Sequence, residues 1–293
     1  MKKRKTTLIM VLLFFMGLLI LLYPSLSDFY NQKVQSKSIV DYEAVLKTLN
    51  QDEYKEIFDA ADEYNKRLAS LNNQFFNYKK LKNYRKTLNI DNKGMMGYIS
   101  IDKIRVELPI YHGTSEEVLS KAVGHIEGSS LPVGGIGTHS VLSAHRGLPS
   151  SVLFTNLDKL EIGDTFTITT LNRTLTYQVD EIKIVSPKEI ESLKIDKDKD
   201  YLTLVTCTPY GINTQRLLVR GVRIENIKEK VFITTEAFKI SAFVVTPIVS
   251  IPMIISLLLG IIFKPITNKK KIKQKYIYPR EYKSGGNKNE KKG

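Results

Sequence analysis

Two long uncharged runs, one near each end and each bordered by lysines, constrain this chain more than any other feature. Leu8–Tyr23 is sixteen residues without a charge, eighteen with Thr6 and Thr7, and Lys2-Lys3-Arg4-Lys5 precedes it. Phe243–Phe263 is 21 uncharged residues, followed by Lys264 and then Lys269-Lys270-Lys271. About 20 apolar residues are needed to cross ~30 Å of hydrocarbon, so both runs are expected to be transmembrane helices. Pro247 and Pro252 are tolerated in such a span. A cleaved leader shares the basic start and apolar run. The first run is long for a leader, however, and Ser25-Leu26-Ser27 is only a fair cleavage site, so a retained anchor is expected. Basic residues flank the outer end of each run, which puts both termini in the cytoplasm and residues 24–242 outside a cell membrane spanned twice.

The charge balance follows the same division. Lys plus Arg number 44 against 30 Asp plus Glu, a net +14 that on its face suggests a nucleic-acid binder. Residues 1–23 carry four basic and no acidic side chains, and residues 264–293 carry eleven and two, leaving 29 basic and 28 acidic between them. The basicity belongs to the ends, so no nucleic-acid partner is expected. The single cysteine, Cys207, excludes an intramolecular disulfide and a Cys-rich metal site. Carboxylates are scattered, and neither a metal nor another cofactor is expected.

The outside portion changes texture near Gly94. From Val40 to Leu88 apolar residues recur at three-and-four spacing (Tyr54, Ile57, Phe58, Ala61, Tyr64, Leu68, Leu71), predicting one or two helices. Beyond it, short β-branched and aromatic runs predict strands at Met96–Ile101, Val106–Ile110, Ser140–Ala144, Thr165–Thr170, Leu175–Val179, Ile182–Val185, Tyr201–Thr206 and Arg216–Ile224. Thr114 with Glu117 three residues on resembles a capping box for a short helix reaching about Ala122. About eight strands with few helices mean a closed barrel or a sandwich. The expected division is a basic start and anchor at 1–23, a helical region at 24–93, a strand-rich catalytic domain at 94–230, a linker at 231–242, a second span at 243–263 and a basic tail at 264–293.

Cys207 ends the strand-like run Thr203-Leu204-Val205-Thr206-Cys207. Thr208-Pro209-Tyr210-Gly211-Ile212-Asn213 supplies turn residues, and Arg216 opens the next strand. Strands joined by a loop this short are most simply antiparallel, which would set Cys207 and Arg216 opposite each other. A guanidinium beside a thiol favours its thiolate and could also stabilise an oxyanion. A buried free cysteine in an apolar strand is the competing reading. Four histidines compete as proton donor or acceptor: His112, His125, His139 and His145. His139 and His145 flank one strand six residues apart, so alternation does not separate them. Position at the strand exit, beside Arg146-Gly147, favours His145.

At these residues the chain resembles the sortases: a Thr-Leu-x-Thr-Cys strand, Thr203 to Cys207, with Arg216 nine residues on. Gly124-His125-Ile126-Glu127-Gly128-Ser129-Ser130-Leu131-Pro132, His145-Arg146-Gly147-Leu148-Pro149, Cys207-Thr208-Pro209-Tyr210-Gly211 and Leu217-Leu218-Val219-Arg220-Gly221 resemble the class C, pilin-polymerising members. The similarity runs nearly continuously from about Met96 to Arg223. It implies an eight-stranded β-barrel, with N-terminal helices and two spans, acting as a cysteine transpeptidase on the outer face of a Gram-positive membrane. It also implies His145 as the catalytic histidine, Cys207 as nucleophile and Arg216 as the arginine, with His112, His125 and His139 structural. The implied reaction cleaves an LPxTG-like sorting signal at Thr–Gly and passes the acyl group to a pilin Lys.

Two departures stand out. Class C members usually carry an Asp-Pro-aromatic lid, whereas this chain has Asn73-Gln74-Phe75-Phe76; Phe75 or Phe76 could still plug the site. Gln215 stands beside Arg216 where this class often has His. An altered lid keeps open a wall-anchoring sortase that uses a peptidoglycan-precursor amine. A different class of function is an idle, membrane-tethered factor that only binds sorting signals.

Overall fold

The alternation in Thr165-Phe166-Thr167-Ile168-Thr169-Thr170 carries through to packing. Phe166, Ile168 and Thr170 are buried and the residues between them half-buried, as one face of a strand on a core requires. The computed structural model describes residues 2–226 together with 254 and 255. Within it this segment is β5 (Thr165–Thr170), joined by β1 (Met95–Ile101), β2 (Val106–His112), β3 (Val123–His125), β4 (Thr138–Ser143), β6 (Arg173–Val185), β7 (Asp200–Thr208) and β8 (Gln215–Ile224). These close into a barrel in the order β1-β2-β3-β4-β7-β8-β6-β5, with β5 pairing back to β1. Closure gives each of these eight strands a neighbour on both sides, which removes the open edges of a flat sheet among the described residues. The β2–β3 and β4–β7 pairs are parallel.

The expected eight strands are met by a different division. Leu175–Val179 and Ile182–Val185 belong to one strand, β6, with a register shift between Val179 and Glu181. Asp180 is the extra residue of that bulge, and its carboxylate takes Nε and Nη2 of Arg220 at 3.0 and 2.8 Å. β3, unpredicted, is three residues long and contains Gly124, too little for a hydrophobic pattern to register.

The N-terminal span and the region after it form one helix, α1 (Lys2–Leu46), with Pro24 inside it. Leu8 onward is long and apolar enough to cross a membrane, and none of its most apolar window is buried in the protein. After Asn50 comes α2 (Gln51–Ala69), which buries Phe58, Ala61, Tyr64 and Leu68 as the spacing predicts. Asn50 accepts from the Glu53 amide (3.0 Å) while Glu53 accepts from the Asn50 amide (2.7 Å), a full capping box. Two hydrogen bonds between Asn65 and Leu131, and the Arg173 guanidinium 3.7 Å from the Phe58 ring centroid, tie α2 to the barrel. Tyr42 does the same for α1, donating to the Met96 carbonyl (3.1 Å) and accepting from the Leu171 amide (3.0 Å).

A short helix, α3 (Gln74–Asn77), follows α2, and α4 (Glu116–Leu119) lies between β2 and β3. The box expected at Thr114 does not form. The chain turns one residue later, so Ser115 takes the extended N-cap conformation, without a side-chain cap bond. The chain divides after Lys239 into a second unit. The expected span at Phe243–Phe263 lies outside the described residues except for Ile254 and Ile255, as do all of the linker and all of the tail.

Candidate active site

Successive residues of β7 face opposite ways, and the core shows which way. Leu202 and Leu204 lie inside the barrel, with Leu217 and Val219 of β8 and Leu142 of β4. Val205, Leu218 and Val141 sit instead in a separate apolar cluster on the outer face. By alternation Cys207 shares the outer face with Val205, and Arg216 shares it with Leu218. Cys207 and Arg216 are register partners across the antiparallel β7–β8 pair, so their side chains leave the sheet side by side. The thiol is free and half-buried. Arg216 Nη1 donates to the carbonyls of Asn213 (3.2 Å) and Gln215 (3.0 Å), which ties the guanidinium to the mouth of the β7–β8 loop. Gln215 itself is exposed at the start of β8.

His145 lies just past β4. Ser143 pairs with Val205, the Ala144 amide donates to the Val205 carbonyl (3.2 Å), and Thr206 Oγ1 donates to the Ala144 carbonyl (2.8 Å). Carried two residues further, that register sets His145 beside Cys207. The next rung agrees: Arg146 Nη1 reaches Thr208 Oγ1 at 3.3 Å, while Nη2 pairs with Asp158 at 2.5 Å. The Phe154 amide donates to the His145 carbonyl (3.1 Å). His145 Nε2 is buried without a hydrogen bond, and the nearest carboxylate oxygen, on exposed Glu116 of α4, stands 3.5 Å away.

The other histidines are built into the framework. His139 Nδ1 donates to the Lys194 carbonyl (2.8 Å) and Nε2 accepts from Thr203 Oγ1 (2.7 Å). His125 Nε2 donates to the Ser130 carbonyl (2.8 Å). Burial pushes both imidazoles down to about 4, which keeps them neutral. His112 is buried with its ring nitrogens against the carbonyls of Gly94 and Thr87. Among the described residues no group of three or more His, Cys, Asp or Glu could hold a metal ion.

Next to the Cys207–Arg216 rung, Val141, Val205 and Leu218 form an apolar floor with Leu193, from the turn between β6 and β7. Phe75 of α3 packs on it, together with Ile126 and Val185, and passes within 3.1 Å of where a Cβ on Gly128 would stand. Phe76 points away and is 73% exposed. The sequence separates neither this floor nor the Glu116 contact. The signal for the floor was present, since Val205 shares a strand face with Cys207. Glu116, 29 residues before His145, offers none.

A sortase-domain family model matches residues 99–224. Sortase D of Bacillus subtilis strain 168 is 32% identical over 131 residues, 44% of this chain and 63% of that protein. Sortase A of Bacillus anthracis is 26% identical over 220 residues, covering 75% and 95% respectively. Among solved structures, sortase C1 of Streptococcus agalactiae is 52% identical with a TM-score of 0.60, covering 65% of this chain and 100% of that one. Sortase C of Clostridium perfringens SM101 is 46% identical with a TM-score of 0.56, covering 64% and 99%. The pilin-polymerising class thus supplies the structural likeness, while the curated relatives carry the names sortase A and D. A closed barrel of this order and a solved relative matched at 52% identity over its whole length establish that the chain belongs to the sortase family of cysteine transpeptidases.

Proposed function

We propose that this chain is a class C sortase that cleaves LPxTG-like sorting signals at Thr–Gly and joins pilin subunits through Lys isopeptide bonds. Cys207 is the nucleophile, His145 the proton carrier and Arg216 the group that steadies charge on the scissile carbonyl. The single observation that carries this reading is the pairing of Cys207 with Arg216 on the outer face of β7 and β8, with the β4 register leading to His145.

The thiolate of Cys207 attacks the Thr carbonyl carbon, and the displaced electron pair rests on the carbonyl oxygen, beside Arg216. Collapse of this intermediate breaks the C–N bond to Gly, whose nitrogen takes a proton from His145, leaving a thioester on Sγ. A pilin Lys amine then attacks the thioester carbonyl. Its proton passes to His145, the C–S bond breaks and an isopeptide bond remains.

Phe75 serves as the lid. An aromatic side chain on the apolar floor next to the nucleophile occupies space that a Leu-Pro segment would take, so it has to leave when the signal binds. The Asp-Pro pair of the usual class C lid is not needed for that packing. α1 would hold the barrel at the outer membrane face, where secreted substrates emerge.

The test is to trap the acyl-enzyme with a tagged LPxTG-type peptide and map the modified residue by mass spectrometry. A thioester on Cys207, lost in Cys207→Ala, is the expected result. An unmodified Cys207 with peptide still consumed would overturn it. Co-expression with a pilin then separates chemistries: boiling-resistant ladders mean polymerisation, and monomer found only on the wall means anchoring.

A further inference from the structure

The apolar run of α1 ends at Tyr23, but the helix continues without a break and lies against the loop that follows His145. Asp28 Oδ1 accepts from the Val152 amide (2.9 Å), and Asn31 Nδ2 donates to the Ser150 carbonyl (2.7 Å). Gln35 Nε2 donates to the Lys121 carbonyl (2.8 Å) and Ser151 Oγ (3.3 Å). Pro24, Ser25 and Asp28 share a cleft with Gly147, Leu148 and Tyr210. The Tyr210 ring lies over Gly147, within 3.0 Å of where a Cβ there would stand. The anchor is therefore fastened to the loop that leaves the candidate histidine and lies beside Tyr210 of the loop that leaves the candidate nucleophile.

Helix geometry converts this into depth. Asp28 is five residues past Tyr23, a rise of about 7.5 Å at 1.5 Å per residue. The headgroup layer on each side of the hydrocarbon is about 5–8 Å thick, and an ordinary tilt of roughly 20° shortens the rise by under a tenth. In the cleft that holds Asp28, Tyr210 is 60% exposed; Ile212, in the same turn as Tyr210, is 67% exposed, and Leu26, Phe29, Tyr30 and Val152 are also uncovered. Rings with an apolar body and a polar tip are the groups that settle at a membrane interface.

We infer that the rim made by Tyr210, Ile212 and Val152, with Leu26, Phe29 and Tyr30 of α1, sits in the phospholipid headgroup layer of the membrane that α1 spans, so that the Cys207 site opens at the bilayer surface. The inference rests on α1 as a retained anchor and not on the assignment of the catalytic groups.

The chain has no tryptophan, so one introduced residue reports alone. Full-length Tyr210→Trp, Ile212→Trp and Ile136→Trp are reconstituted in vesicles containing lipid brominated near the top of its acyl chains. Ile136, 74% exposed just before β4, is at the opposite end of that strand from His145 and serves as reference. Tyr210→Trp and Ile212→Trp are expected to lose emission to the bromines, and Ile136→Trp to keep it. Quenching no stronger at 210 and 212 than at 136, in protein that floats with the vesicles, would overturn the rim. Protein that does not float would overturn the anchor beneath it. Acyl-enzyme trapping on the same samples reads the chemistry separately: quenching without acylation of Cys207 sinks the proposed reaction and leaves the rim standing.

Discussion

Arg216 faces Cys207 only while the loop between them keeps its shape, because the carbonyls of Asn213 and Gln215 hold its guanidinium. A lysine cannot span that fork of donors. Arg216→Lys is therefore expected to lower kcat for peptide cleavage by roughly 10²–10³-fold, the usual effect of removing a donor to a developing oxyanion; activity near wild type would remove Arg216 from the mechanism. On the proposed mechanism His145→Ala should abolish turnover, and the wild type should show a bell-shaped pH–rate profile, because that mechanism uses one group as a base and one as an acid. Full activity in His145→Ala would mean that another group carries the proton. Behind the site, a Cβ on Gly221 would stand 2.7 Å from Phe166 Cζ and 2.9 Å from Tyr177 Cβ. Gly221→Ala should overpack the barrel by about 1–3 kcal/mol, read as a lower urea midpoint. The Cys207–Arg216 pairing was legible in the sequence because a short loop between two β-branched runs dictates an antiparallel pair. The Glu116 contact was not, because it depends on the antiparallel pairing of β4 with the three-residue β3, too short to be read from the sequence, which brings α4 to the end of β4.

Among the elements, α3 links packing most directly to access. Phe75 packs on the floor formed by Val141, Val205 and Leu218, while Phe76 faces solvent. Phe75→Ala is expected to speed alkylation of Cys207 by iodoacetamide severalfold and Phe76→Ala to leave it unchanged; equal rates in all three proteins would mean that α3 does not cover the thiol. Element boundaries also show where sequence patterns mislead. The Thr114-x-x-Glu117 pattern suggested a box that the chain does not form, whereas Asn50-x-x-Glu53, with the less conspicuous Asn, forms one fully. A cap depends on which residue adopts the extended conformation, and that is set by what the preceding turn packs against. Asp180 likewise reads as a strand break. In the fold it is a bulge kept within β6 by its paired contacts to Arg220.

At the scale of the whole molecule, the buried neutral histidines make stability depend on acidity. His125 and His139 are held down to about 4 by burial, against 6.5 for an unburied imidazole. Between those values the unfolded chain binds more protons than the folded one, so stability is complete above about pH 6.5 and falls as the pH drops toward 4. At ~1.4 kcal/mol per pH unit the loss approaches about 3 kcal/mol for each residue. Burial raises the Asp200 carboxyl, which works in the opposite sense. The urea midpoint followed by circular dichroism should fall steadily from pH 7 to pH 4.5, and a flat response would show that neither imidazole stays neutral. The barrel class was readable from strand density and turn residues, but strand order was not, because the parallel β4–β7 pair joins segments that no local pattern connects. That pair has a further consequence for biogenesis. In chain order the imidazole of His145 comes about sixty residues ahead of the sulfur of Cys207, and the guanidinium of Arg216 follows on the last strand of the barrel. A chain made only as far as β7 thus holds its cysteine without a partner across the sheet, and the Cys207–Arg216 rung forms only once β8 has been added.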